Sequence, residues 1–516
     1  TGDYAPDGVE LNYGTFGDVF TNNVNTAFTS QLTGLGSNKG KDMGVSSDLV
    51  NSGRMQLDLA SREPIGGGVS LGSFSRLAMN SDQLLMTFAT LTGTGINATN
   101  NQAVLGAADS SLYLLLQTGK PVAPLGGGLL LNLPEMAASN DIPRVAFICN
   151  LRQGPASGAV PKVDASNDSG LLNYYFSTDA DAVREGSQAS PSLDTTRLGQ
   201  LAPRLALASI RHFYSAALTP PASGPDTLTI TPTNNTALFR RLTASEADVV
   251  AVKGDSVKDA GENIVPAIHY AAFIGEASGG DDHLVYRATM ASTTPGAVTT
   301  ATNEALWAFT KNNDNRMVLR KGQSLAPFLP GLTVAGIINY WATAYQDGTE
   351  QAIALVKLGG PGVTAANDQA LLLWQTTGTL LLLMREGDAA PGCPGAKIGV
   401  ITRVEVDNVY GNYAILATLT GATPTSDLAL FTGIDNLYNN AAEQAPLRRP
   451  VLRLRKGQLF DNQPGHVRSI SLPTTNLTAS GAGGTGRGHA LSSFSNLAIV
   501  VEFDNGVRQV MKGRAN

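Results

Sequence analysis

The 516-residue chain is poor in most of the residues that carry enzyme chemistry. It has two cysteines, Cys149 in an apolar run and Cys393 in a glycine-proline turn. Two such positions would rarely come within the few ångströms that a disulfide requires, so both are expected to be free thiols. The five histidines, His212, His269, His283, His466 and His489, are scattered. None forms an HExxH or another pair at metal-ligand spacing. There is no G-x-S-x-G elbow, CxxC pair or phosphate loop. Charged residues make up 15% of the chain and the net charge is −6, which excludes the basic footprint of a nucleic-acid or anionic-membrane binder. No apolar run approaches the roughly 18 residues of a membrane-spanning helix. The chain opens on Thr1 and ends at Arg514-Ala515-Asn516, as expected of a processed or trimmed chain without a hydrophobic tail.

What the chain has in quantity is glycine, 56 residues, and proline, 26, set between short apolar segments. Leu380 to Gly392 (LLLLMREGDAAPG) is the clearest such unit, an apolar run ending in a charged turn. Its glycine has counterparts at Gly2, Pro64, Gly119, Gly186, Gly254, Gly322, Gly457 and Gly513. These mark eight units of about 64 residues, a period that calls for a repeat architecture. Each unit holds four short apolar segments bounded by turn residues, the pattern of a four-stranded antiparallel sheet. One segment superposes across the units without gaps. Phe28, Phe147, Tyr214, Tyr286, Ile415 and Ile499 share one position, and Leu32, Leu151, Leu218, Met290, Leu419 and Phe503 lie four residues on. An even spacing puts both on one face of a strand, expected to pack against a neighbouring sheet. The next segment opens with an Asx-rich turn such as Asn167-Asp168-Ser169-Gly170, whose short side chains bond their own backbone.

These patterns predict one all-β domain over residues 1–516, an eight-bladed β-propeller of four-stranded antiparallel blades. The ring is expected to close through the two chain ends, with residues 1–20 and 490–516 sharing the last blade. The interval between Phe503 and Gly513 is much shorter than its counterpart from Leu358 to Gly387, so that blade is expected to lack a strand. It then either closes with three strands or offers an unpaired edge to another subunit. The glycine-rich stretch Asn476 to His489 is expected to be a rim loop or an interaction arm.

One stretch suggests a metal. In Asp164-Ala-Ser166-Asn-Asp168-Ser-Gly170, oxygen-bearing side chains alternate ahead of a glycine, as at the start of a calcium loop, although no distal glutamate follows. Asp164, Ser166 and Asp168 are therefore the candidate calcium ligands, and no other cofactor is expected. Asn97, Asn167, Asn234 and Asn476 lie in N-x-S/T sequons and are expected to be ordinary loop residues.

The segments NDIPRVAF (Asn140 to Phe147), NVYGNYAI (Asn408 to Ile415) and, more loosely, NSDQLLMT (Asn80 to Thr87) resemble the repeat motif of the choice-of-anchor tandem-repeat NxxGxxAF-containing bacterial surface proteins. That resemblance implies a secreted, repeat-built protein at the cell exterior and carries no catalytic residues with it. The expectation is accordingly a non-catalytic extracellular or cell-surface structural protein. It would self-assemble into a homo-oligomer or polymer through blade edges and rim loops. The alternative is a propeller whose rim loops bind a surface glycan or other ligand, or a glycan-active hydrolase.

Overall fold

Apolar segments of six to twelve residues bounded by Gly, Asn and Pro fold into strands, because a strand buries two faces within one short run and then needs a turn. The computed structural model describes residues 11–514 except 22–24, 35–41, 52–53, 80–84, 109–110, 139–143, 159, 176–179, 194, 209–210, 221–228, 242–246, 280–282, 327, 345–348, 434–448, 461–464, 473–481, 484–489 and 493–495. The strands form eight antiparallel sheets ringed around an axis, an eight-bladed β-propeller. From the axis outward, blade 1 runs Leu11–Thr21, Thr26–Gly34, Met43–Asn51 and Arg54–Ala60, blades 2 to 7 repeat that order, and blade 8 has three described strands. The innermost strands of blades 2 to 8 are Val69–Met79, Gly128–Ala138, the divided Arg197–Leu201 and Ala206–Ala208, Ile264–Gly279, Thr333–Ala344, Lys397–Val406 and Val467–Ser471. The outermost strands are Ser111–Gln117, Ala180–Arg184, Ala247–Val252, Asn315–Arg320, Leu380–Arg385, Val451–Arg455 and Arg508–Arg514.

Eight hydrophobic clusters fill the eight junctions between blades, the junction of blade 8 with blade 1 included. The aligned column seen in the sequence supplies them. Phe147, Tyr214, Tyr286 and Ile415 are each fully buried against the preceding blade. In blade 5, Trp307 stacks on Tyr286 with ring centroids 5.7 Å apart, while Trp341 and Trp374 are buried in blade 6. Both cysteines are free and buried, with their thiol pKa values raised by desolvation.

The inner strands of blades 1, 2, 3, 5, 6 and 7 each slip register twice against their neighbours, which bends them around the axis. In three of them a threonine hydroxyl on the second strand accepts the amide hydrogen that a bulge leaves over. These bonds are Asp18 N to Thr29 Oγ1 (2.8 Å), Ser73 N to Thr90 Oγ1 (2.8 Å) and Val400 N to Thr418 Oγ1 (2.9 Å).

The two ends meet at one junction, where Tyr13, Val19, Phe28 and Leu32 pack on Ala498 and Lys512 lies 3.7 Å from Asp48. Of the residues 1–20 expected to share the last blade, 11–20 belong to the inner strand of blade 1 instead. Residues 11–21 pair with Thr26–Gly34 inside blade 1, and the three described strands of blade 8 all come from 467–514. Residues 1–10, Gly2 among them, lie outside the described residues, as does most of the Asn476 to His489 stretch. Within that stretch Ala482–Gly483 is described and pairs in parallel with Tyr340 and Trp341 on the inner strand of blade 6.

Candidate functional site

One rim of the ring is built from a unit used again and again. After the outermost strands of blades 1 to 7 the chain turns through a residue of positive φ, whose amide donates to the next blade's innermost strand. Gly119, Gly186, Gly254, Gly322, Gly387 and Gly457 make these bonds at 2.7–2.8 Å to Leu130, Leu198, Tyr270, Val334, Ile398 and Val467. Between blades 1 and 2 the role falls to Arg62, with φ 70° and its amide 2.7 Å from the Leu71 carbonyl, rather than to Pro64 as the sequence spacing suggests. Glycine fits here for two reasons. The backbone is left-handed, and a Cβ on Gly387 would come within 3.0 Å of the Asn367 side chain.

That side chain belongs to the second part of the unit, the turn before the third strand. The backbone amides of Asn97, Asp164, Thr231, Thr299 and Thr364 each donate to the side chain three residues on, at Asn100, Asn167, Asn234, Thr302 and Asn367. Asp164 is therefore blade 3's version of a residue that is Thr in three other blades. Its Oδ1 accepts the Ser166 amide and hydroxyl at 3.1 and 2.6 Å, and Lys162 lies 3.0 Å from Oδ2. The Ser166 hydroxyl first, then Lys162, holds the Asp164 carboxyl down to about 2. Asp168 Oδ2 accepts from Gln153 Nε2 at 2.5 Å. The three residues named as calcium ligands thus sit in one loop with Asp164 and Ser166 bonded to each other. Among the described residues no group of three or more His, Cys, Asp or Glu side chains is placed to hold a metal. Asn167 and Asn234 spend their side-chain oxygens on the turn, and Asn476 lies outside the described residues.

The third part of the unit is a side-chain pair. The residue before the turn glycine faces the residue that opens the third strand. In blades 4, 5 and 7 a lysine meets an acceptor: Lys253 with Asn235 at 3.2 Å, Lys321 with Asn303 at 3.3 Å and Lys456 with Asp427 at 2.9 Å. In blades 3 and 6 two carboxyls meet instead, Glu185 with Asp168 and Glu386 with Asp368. Burial raises the pKa of both glutamates, and the neighbouring aspartate raises it further. Blade 6 compensates, since Lys357 stands 3.4 Å from Asp368. In blade 3 the strand position of Lys357 is taken by Asn150, which bonds Asn132, and Asp168 has the neutral Gln153. Glu185 takes hydrogen bonds on Oε2 from the Ser169 amide and hydroxyl at 3.2 and 3.0 Å.

Glu185 borders a cleft of about 750 Å³ between blades 3 and 4. Ser166, Asn167, Arg184, Glu185 and Ser187 form one wall, and Arg197, Leu198, Gly199, Thr219 and Pro220 form the other. Arg184 Nε donates to the Asn167 carbonyl at 2.9 Å, and Arg197 Nη1 donates to that of Gly186. A second groove, of about 390 Å³ between blades 2 and 3, is lined by Arg76, Phe88, Asn132 and Asn150. There the Arg76 guanidinium lies 5.1 Å from the Phe88 ring centroid and donates to the Pro134 carbonyl, so its charge stitches two inner strands. Sequence reasoning missed Glu185. The signal was present, a glutamate where three other blades have lysine.

A family model matches residues 1–188 and 230–508. The chain belongs to the family of unknown function DUF7453. The unmatched interval includes Arg197 to Pro220, so this DUF7453 chain builds one wall of its cleft from family-matched sequence and the other from sequence outside the match. No curated protein sequence matches the chain. Among solved structures it is similar to the β-propeller domain of the trilobed protease of Pyrococcus furiosus, described as having an open velcro topology (6% identity, 82% of this chain, 95% of that one, TM-score 0.37). It is also similar to Pyrococcus horikoshii acylaminoacyl peptidase (9% identity, 81% of this chain, 50% of that one, TM-score 0.35). A third is the polysaccharide lyase Uly1 (8% identity, 88% and 91%, TM-score 0.34). The chain spans about half the length of the acylaminoacyl peptidases it matches.

The expectation that the protein is not an enzyme is corrected by these likenesses. By name the similar structures are a peptidase, the propeller domain of a protease and a polysaccharide lyase. Asp168 and Glu185 lie 17 residues apart and meet through the blade's strand pairing, so no local motif marks them.

Proposed function

We propose that the cleft between blades 3 and 4 takes a polyhydroxylated ligand of the saccharide class, with Glu185 as its proton donor. Glu185 at the cleft wall, its pKa raised by burial and by Asp168, carries this reading. Burial and the neighbouring Asp168 raise the Glu185 pKa, so this carboxyl keeps its proton above the ordinary glutamate range, with the Arg184 guanidinium nearby. A buried glutamic acid with a raised pKa is a group from which a proton passes to an oxygen of a bound ligand. The other lining groups suit hydroxyls. Ser166, Ser187 and Thr219 both donate and accept, the two arginines donate in planar forks, and Pro220 offers apolar surface to a sugar face.

The test is a titration of the purified protein with neutral and uronate-containing oligosaccharides, followed by calorimetry and by the release of reducing ends. Binding by the native chain, retained in E386Q and with turnover lost in E185Q, is the expected result. No saccharide binding, or an E185Q variant that behaves as the native chain, overturns the reading.

A further inference from the structure

Outermost strands are where a propeller meets other chains, because each leaves one row of backbone N–H and C=O groups unpaired. Among the described residues seven of the eight outermost strands carry at least one charged residue, for example Asp248 in blade 4, Arg316 in blade 5, Arg453 in blade 7 and Lys512 in blade 8. A charge on an edge strand discourages a second strand from docking there. The outermost strand of blade 2, Ser111–Gln117 (SLYLLLQ), has none. It is apolar on both faces. Leu112, Tyr113 and Leu114 are consecutive and 37%, 46% and 49% exposed, while Leu116 on the same strand is buried in the junction with blade 3. Blade 6 provides the contrast. Its outer strand Leu380–Arg385 is as rich in leucine, but Leu380 and Leu382 pack inward, Leu381 alone of its leucines is strongly exposed, and the strand ends in Arg385. A strand apolar on both faces has the composition of a central strand, flanked on either side.

We propose that Ser111–Gln117 is a dimerisation edge, pairing antiparallel with the same strand of a second copy about a two-fold axis. Charge complementarity selects that occupant. Set against any other outer strand of this chain, Leu112 to Leu114 would lie beside an Asp, Arg or Lys. Set against its own copy, apolar side chains meet apolar side chains across the pair. An isologous contact of this kind closes at two subunits. It joins the two copies of blade 2 into one continuous sheet, with the clefts between blades 3 and 4 outside the contact.

Light scattering and sedimentation velocity over a concentration series test this directly. The native chain is expected to reach twice its 53.7 kDa monomer mass. L114K, at an exposed edge position, is expected to lose the dimer while keeping the native far-ultraviolet spectrum and melting temperature. L381K on the edge of blade 6 is expected to leave the dimer intact. Oxidation of Y113C is expected to give a covalent dimer. A native chain that stays at 53.7 kDa at every concentration, with or without a different protein bound to this edge, overturns the proposal. So does an L114K variant that remains dimeric.

Discussion

Blades 3 and 6 share a turn letter for letter, Arg-Glu-Gly at residues 184–186 and 385–387, and each sets a buried glutamate against an aspartate. They differ in what surrounds the pair. Blade 6 adds Lys357, and the turn that follows folds inward, burying Ala390, Cys393 and Ala396 in the junction with blade 7. Blade 3 has no lysine beside Asp168 and a cleft beside Glu185. The same local sequence thus has a lysine beside its aspartate in one place and, in another, a glutamate at an open cleft with the Arg184 guanidinium nearby. A repeat protein acquires a site by removing a compensation from one copy of a joint that the other copies keep.

The scale for a buried carboxyl in this ring comes from Asp407, on the opposite rim of the blade 6–7 junction. Its carboxylate accepts the amides of Val409 and Tyr410, each at 2.9 Å, yet burial pushes its pKa up to about 6. The folded state therefore holds this proton more tightly than the unfolded state, whose value is near 3.8. Stability should be greatest below that value and fall by on the order of 3 kcal/mol as pH rises to about 6. Denaturant melts at pH 4 and pH 6.5 measure the fall, and D407N should remove most of it.

The turn glycines come next. G387A should cost about 1–2 kcal/mol for the left-handed backbone alone, with a further penalty where the new methyl meets Asn367. G186A should cost less than G387A, because its Cβ would meet only the Ser166 carbonyl, at 3.2 Å. Equal losses would mean that the two joints are packed alike.

A smaller effect separates the glutamates. Both have raised pKa values, so both contribute a loss of stability as pH climbs past the ordinary glutamate range. E185Q and E386Q should each flatten that part of the stability profile. Only E185Q should change ligand binding or turnover. The smallest effect is expected of R197A and K397A, which sit at matching strand starts. Each should shift stability by no more than about 0.5 kcal/mol. R197A should weaken binding in the cleft and K397A should not.

Much of this fold is legible in the sequence because the repeat writes the same constraint several times. The column of Phe147, Tyr214, Tyr286 and Ile415 is visible as spacing and is the core of the ring. The turn glycines are visible because a left-handed residue packed against another turn has few substitutes. The exception at Arg62 is invisible for the same reason, since its φ of 70° shows no glycine and Pro64 stands nearby. Asp164 occupies the position of Thr231, Thr299 and Thr364 in other blades, a match that the aligned turns bring out. The site is harder to see than the fold. Asp168 and Glu185 become neighbours through antiparallel pairing, and the cleft exists because of what blade 3 lacks.

The three tryptophans, Trp307, Trp341 and Trp374, are all buried in blades 5 and 6. Intrinsic fluorescence of this protein is therefore a local gauge, blind to the cleft and to the junction where the chain ends meet. Far-ultraviolet dichroism sums over all eight blades. If the two signals melt together, the ring is one cooperative unit; if fluorescence lags, blades 5 and 6 outlast the rest.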